Sequence, residues 1–206
     1  MKENESSLER KEQVIEVMKR GCSLDELMAF HGAPVLLGEK TGNLFSIRRI
    51  CFERMRNRFN EMAAALRPMG ICLEILRERP KSVLIYVYRP AMLEIDLDEP
   101  RAKAVLAPLC YDRSHILERL RERVAGEEFP HEIGLFLGYP PEDVCGFIEN
   151  RGENSKYCGC WKVYGDVESA RKTFARYDQC QALLWACVQR GQEIEEVVRS
   201  AERKDA

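Results

Sequence analysis

The chain has 206 residues, enough to bury one sizeable core and short for two ordinary domains. Hydrophobic residues make up 45% and charged residues 32%, which excludes disorder as the general state of the chain. With 32 Lys plus Arg against 34 Asp plus Glu, the formal charge is only -2, so no global field draws the molecule to nucleic acid or an anionic membrane.

In chain order, residues 1–20 are rich in Glu, Lys and Arg and lack the apolar core of a secretion signal. A capping box from Ser6 to Glu9 opens a helix through Val14, Ile15, Val17 and Met18 that Gly21 stops. A second box, Ser23 to Glu26, opens a short helix ending near Gly32 and Pro34. Between Leu44 and Leu66, apolar residues recur at Phe45, Ile47, Ile50, Cys51, Met55, Phe59 and Met62, and the spacing predicts one long amphipathic helix stopped by Pro68 and Gly70. Its arginines, 48, 49, 54, 56 and 58, with Arg67 beyond, are the best nucleic-acid signal in the chain. Glu53 and Glu61 interrupt them, and a solvated helix face is the preferred reading.

Two strands follow, 71–76 and 83–88, the second dense in β-branched and aromatic residues, with Arg79-Pro80-Lys81 as a hairpin turn. Asp98-Glu99-Pro100 begins a helix with an acidic cap and Pro in its first turn, and Ser114 begins another that ends at Gly126. Residues 132–139 read as a third strand, turning at Pro140-Pro141 into a helix with Val144, Phe147 and Ile148 that Gly152 closes. Residues 160–165 read as a fourth strand, and Asp166 caps a long helix through Ala170, Phe174, Tyr177, Leu184 and Val188.

This order has no regular βαβ alternation and no internal repeat. It predicts a single α+β domain over 1–206: a small, mainly antiparallel sheet of about four strands packed by helices, with disordered ends at 1–6 and 200–206. Ile85, Val87, Ile133, Leu135 and Val163 are expected to be buried in that sheet. No apolar run approaches the roughly 18 residues that cross a bilayer, so no membrane span is expected. Nine cysteines, at 22, 51, 72, 110, 145, 158, 160, 180 and 187, fall mostly in apolar patterns rather than framing loops. They read as reduced thiols in the cytoplasm.

The segment Phe129-Pro130-His131-Glu132-Ile133-Gly134-Leu135-Phe136-Leu137-Gly138-Tyr139-Pro140-Pro141-Glu142-Asp143-Val144, followed by Gly159-Cys160-Trp161-Lys162-Val163-Tyr164-Gly165, resembles the signature of an uncharacterised family of anaerobic Gram-positive bacteria. Residues 33–40 and 86–90 add to the resemblance, which covers roughly 20 to 190. It implies a bacterial cytosolic protein and carries no established activity.

The chemical candidates concentrate in the same segment. His131 sets an imidazole beside the Glu132 carboxylate, the pairing of groups that acid–base work uses, though adjacent strand residues point to opposite faces. Cys158 and Cys160, two apart, are weak candidates for a soft metal or a redox pair, because no second pair completes a tetrahedron. Lys162 and Tyr164 share one face of the expected fourth strand, where they can meet Tyr139 in a polar, aromatic-lined pocket; the plainer reading of Lys162 is a solvated edge lysine. Lys40, in an irregular loop after Gly38, is a further contributor. The turn at Gly138-Tyr139-Pro140-Pro141 enters a helix, but Glu142 and Asp143 in the first turn would repel phosphate. No catalytic motif with a fixed spacing is present. The sequence therefore favours a small-ligand- or partner-binding domain with its pocket at the signature strands, built from Lys40, His131, Glu132, Tyr139, Lys162 and Tyr164. The alternative is an enzyme, or a redox, metal or haem- or iron-related protein, using His131, Lys162, Tyr164 or the thiols. Cofactor and oligomeric state stay open.

Overall fold

The computed structural model describes residues 23–203. The helix expected before Gly21 lies outside the described residues. The first described helix, α1 (Leu24–His31), opens with the expected reciprocal box. Glu26 N donates to Ser23 Oγ at 3.1 Å, and Ser23 N donates to the Glu26 carboxylate at 2.8 Å. A single turn, α2 (Ala33–Leu36), follows, its four residues all buried.

The long helix expected from Leu44 is two elements. Residues Gly42–Arg48 are strand β1, and the helix α3 runs only over Arg49–Leu66. Phe45 and Ile47 are two apart, a strand step, and both are buried while Ser46 and Arg48 are exposed. The helical spacing of Phe52, Phe59, Met62 and Leu66, the buried side of α3, begins only after the extended backbone of Arg48.

Strands β2 (Cys72–Glu78) and β3 (Ser82–Tyr88) form the expected hairpin, with Arg79 N donating to Ser82 O at 2.8 Å. The sheet order is β1-β3-β2, antiparallel throughout, with Phe45 and Ile75 on either side of Ile85. β3 is therefore central, and its uninterrupted apolar run follows from being covered on both faces. Val83, Ile85 and Val87 enter one core with α1, α2 and α3, together with α9 (Val167–Gln189) and α10 (Ile194–Glu202). Leu84, Tyr86 and Tyr88 enter the other, with α4 (Pro90–Asp98), α5 (Pro100–Leu106), α6 (Ile116–Ala125) and α7 (Ile133–Phe136). The architecture is α+β, a three-stranded antiparallel sheet between two helical layers. Among the described residues, no helix is long and apolar enough to cross a membrane.

Two expected strands are corrected. Residues 132–139 contain no strand; Ile133–Phe136 is the helical turn α7, and Ile133, Gly134, Leu135, Phe136 and Leu137 are all buried. An apolar run buried on every side has no period to distinguish strand from helix. Residues 160–165 contribute only Lys162–Val163, strand β5, which pairs with β4 (Tyr157–Cys158) in a two-stranded ribbon apart from the main sheet. Ile85, Val87, Ile133, Leu135 and Val163 are buried as expected, but in three different clusters rather than one sheet.

The basic side of α3 is engaged by carboxylates. Arg49 meets Glu78 at 3.0 Å and Arg56 meets Glu53 at 2.9 Å, while Arg58 is gripped by Asp25 and Glu195 at 2.5 and 2.6 Å, tying α3 to α1 and α10.

Candidate functional site

The signature residues converge where helix α8 (Pro141–Glu149) meets the β4–β5 ribbon. The joint is the Asp143 carboxylate, in the first turn of α8 and only 3% exposed. One oxygen accepts the Trp161 indole N–H at 2.7 Å; the other accepts the backbone N–H groups of Tyr164 and Gly165, each at 2.7 Å. Three donors on one buried carboxylate satisfy its charge locally and fix the ribbon against the helix. Three glycines permit the close approach. An added Cβ would lie 2.5 Å from the Tyr164 ring at Gly146, 2.2 Å from the Phe174 ring at Gly159 and 2.0 Å from Glu142 at Gly165. Trp161 stands edge-on to Phe174 at 4.5 Å and stacks on Tyr139 at 4.8 Å between centroids.

Between this platform and α7 lies a cavity of about 360 Å³. Its apolar wall comes from Ile133, Val144, Phe147 and Trp161, and its polar rim from His131, Lys162 and the two cysteines 158 and 160. Gly134 admits α7 to this wall, since a Cβ there would lie 2.8 Å from Val144. The His131 ring faces Phe147 at 5.2 Å. Lys162 donates to Gly152 O at 2.5 Å, with its ammonium 6.0 Å from the Phe147 ring centre.

The expected site residues separate into three groups. His131, Tyr139 and Lys162 line the one cavity, as do Cys158 and Cys160. Glu132 and Tyr164 do not. Glu132 is buried and turned toward α6, accepting from Arg123 at 2.7 Å and from the Tyr111 hydroxyl at 3.1 Å. Burial is the largest single influence and pushes its carboxyl up, but the hydrogen bonds from Arg123, the backbone and Tyr111, together with the Arg123 charge, outweigh it and hold the carboxyl below the usual range. His131 and Glu132 thus part company as expected, but within a turn rather than along a strand. Tyr164 lays its ring over Gly146 and donates to Glu153 O at 2.9 Å, closing the loop rather than facing the cavity.

Lys40 lies behind Tyr139. It lines a second, smaller cavity of about 190 Å³ with Asn43, Tyr139, Cys160 and Tyr177. Its ammonium donates to Asn43 Oδ1 at 2.7 Å and sits 5.2 and 5.6 Å from the ring centres of Tyr139 and Tyr177. Burial pulls the amine down to about 8, partly offset by the Cys160 thiolate, and burial pushes the Tyr139 phenol up to about 12. Tyr139 and Cys160 form the wall common to the two cavities.

Asp143 and Phe147 are the residues that sequence reasoning missed. Asp143 reads as one more acid in a helix first turn, and only the return of the chain eighteen residues later supplies its partners. Among the described residues, no group of three or more His, Cys, Asp or Glu side chains is placed to hold a metal ion.

No curated protein and no solved structure matches the chain. A family model does match, over residues 28–198, and it spans both helical layers, the sheet and the ribbon. On that match the chain belongs to the family described as protein of unknown function DUF3793.

Proposed function

We propose that this protein is a small-molecule-binding domain whose ligand is largely apolar, sits against Trp161, Phe147 and Ile133, and meets His131 and Lys162 at the rim. The observation that carries the reading is the cavity of about 360 Å³, within the size range of small-molecule sites, lined mostly by apolar side chains, with the exposed His131 and Lys162 among its polar groups and the buried Asp143 already satisfied by its own donors. Its walls are supported from behind by the Asp143 hydrogen bonds, which favour a preformed site over one that must be ordered by the ligand. Exposed cysteines such as Cys110 and Cys158 suit a reducing compartment, and the reading is of a cytoplasmic, bacterial protein. Arg49, Arg56 and Arg58 of α3, held by Asp25, Glu53, Glu78 and Glu195, favour a small ligand over nucleic acid.

The test is a screen of neutral, phenol-sized compounds against the ¹⁵N-labelled protein. Binders are expected to shift the amide signals of Gly134 and Gly159 and the Trp161 indole signal together and saturably. Cys158→Trp, which fills the mouth from an exposed position, should abolish those shifts. A screen in which no compound saturates at these signals, or binding unchanged by Cys158→Trp, would remove the reading.

A further inference from the structure

Cys158 and Cys160 are exposed, line the same cavity and are separated by one glycine at the tip of the β4–β5 ribbon. The tip is held in place. Gly159 N donates to Trp161 O at 3.0 Å, Cys158 is paired in register with Lys162, and Gly159 is pressed so closely on Phe174 that no side chain fits between them. Cys160 also forms part of the wall between the two cavities, on whose far side Lys40 lies buried with Asn43 and two tyrosine rings around its ammonium. The two groups interact electrostatically: the Cys160 thiolate raises the Lys40 amine that burial lowers. Such an interaction is mutual, so the ammonium favours the thiolate of Cys160, which is the attacking form of a cysteine. Other thiols are placed differently. Cys180 is buried and pushed up to about 11 by burial, and burial pushes Cys145 up as well.

We propose that Cys158 and Cys160 form a thiol–disulfide exchange site for small-molecule disulfides, with Cys160 as the attacking thiolate beside Lys40 and Cys158 as the resolving thiol. In the first step the Cys160 sulfur attacks one sulfur of the disulfide RSSR, an S–S bond forms between Cys160 and R–S, and the other half leaves as a thiolate. In the second, the Cys158 thiolate attacks the Cys160 sulfur and the second R–S⁻ leaves. The protein dithiol loses two electrons to become a Cys158–Cys160 disulfide, and RSSR gains them to become two thiols once protonated. Gly159 between the two cysteines gives the backbone of 158–160 the rotational freedom that closing a ring through adjacent side chains requires. This chemistry goes beyond the binding reading above and does not require the cavity to hold a ligand.

The experiment incubates the reduced, full-length protein with glutathione disulfide near neutral pH, quenches with an alkylating reagent at intervals and maps each cysteine by peptide mass spectrometry. The wild-type chain should yield a peptide joining Cys158 to Cys160, two hydrogens lighter than its reduced form. Cys158→Ser should instead accumulate the glutathione adduct on Cys160, at least about ten-fold faster than on exposed Cys110 of the same molecule. Lys40→Met in the Cys158→Ser background should slow that adduct several-fold. The comparison with Cys110 within one molecule needs no substitution at Lys40, so the proposal stays testable if that variant does not fold. Equal rates at Cys160 and Cys110, no Cys158–Cys160 disulfide in the wild type, or a folded Lys40→Met variant with an unchanged rate would each overturn it.

Discussion

Around the three-stranded sheet, the fold rests on apolar contact shared among many side chains. Val83 and Ile85 of β3, Phe52 and Leu66 of α3 and Leu184 of α9 are all fully buried in one cluster, and no single polar group organises them. Around the β4–β5 ribbon the buried apolar cluster is smaller, Trp161, Val163, Ala170, Phe174 and Tyr177 with Tyr139, Tyr157 and Val167 packed against it, and the geometry depends on one carboxylate and on glycines where neighbours touch the backbone. The sheet core is therefore robust to small changes and costly to hollow out. The ribbon is cheaper to disturb, but a small displacement there moves Cys158, Cys160, Trp161 and Lys162, its share of the candidate site.

The contrast is sharpest at its large end in Phe52→Ala. Removing this fully buried ring from the sheet core should cost about 3–5 kcal/mol, read as a lowered midpoint in urea unfolding with little change in slope. A loss below about 1 kcal/mol would mean that the core around α3 collapses to fill the space. On the ribbon side, Asp143→Asn keeps the shape but turns an amide N–H₂ toward at least one of three donors. It should cost about 1.5–3 kcal/mol and open the amides of Tyr164 and Gly165 to hydrogen exchange well before the amides of β3. Uniform exchange across both regions would show that ribbon and sheet unfold as one unit, and the contrast would fail.

A third, smaller effect separates the two regions by pH. Lys40 sits at about 8 in the folded protein against 10.5 for an ordinary lysine, so between those values the unfolded chain binds more protons than the folded one. The penalty for burying the ammonium is fully present below pH 8 and fades as pH rises toward 10.5. Stability should thus gain about 2 kcal/mol from pH 8 to pH 10 through this group, a gain that Lys40→Met removes. Above pH 10 the tyrosines work in the opposite direction, since Tyr139 is held up to about 12 in the fold and ionises more readily when unfolded. Identical pH profiles for the two proteins would show that the Lys40 amine is solvated.

What the sequence determined by itself was the local structure. The Ser23–Glu26 box, the Arg79-Pro80-Lys81 hairpin, Glu99 and Pro100 at the start of α5 and the Asp166 cap of α9 all stand where their residue types place them, because each acts within one turn of chain. The α+β class follows from them. Candidate residues His131, Tyr139 and Lys162 were also legible, as polar and aromatic groups crowded into two short segments. Elements whose identity depends on distant partners were not legible. Residues 42–48 become a strand only because β3 supplies its edge, forty residues later in the chain. Ile133–Phe136 curls into a helical turn because helices and sheet surround it on every side, which erases the alternation that marks a strand. The parting of Glu132 from His131, the three donors gathered on Asp143 and the placing of Lys40 behind Cys160 were decided by tertiary structure alone. A hydrogen bond or a charge interaction acts over a few ångströms, and only packing settles which side chains come that close.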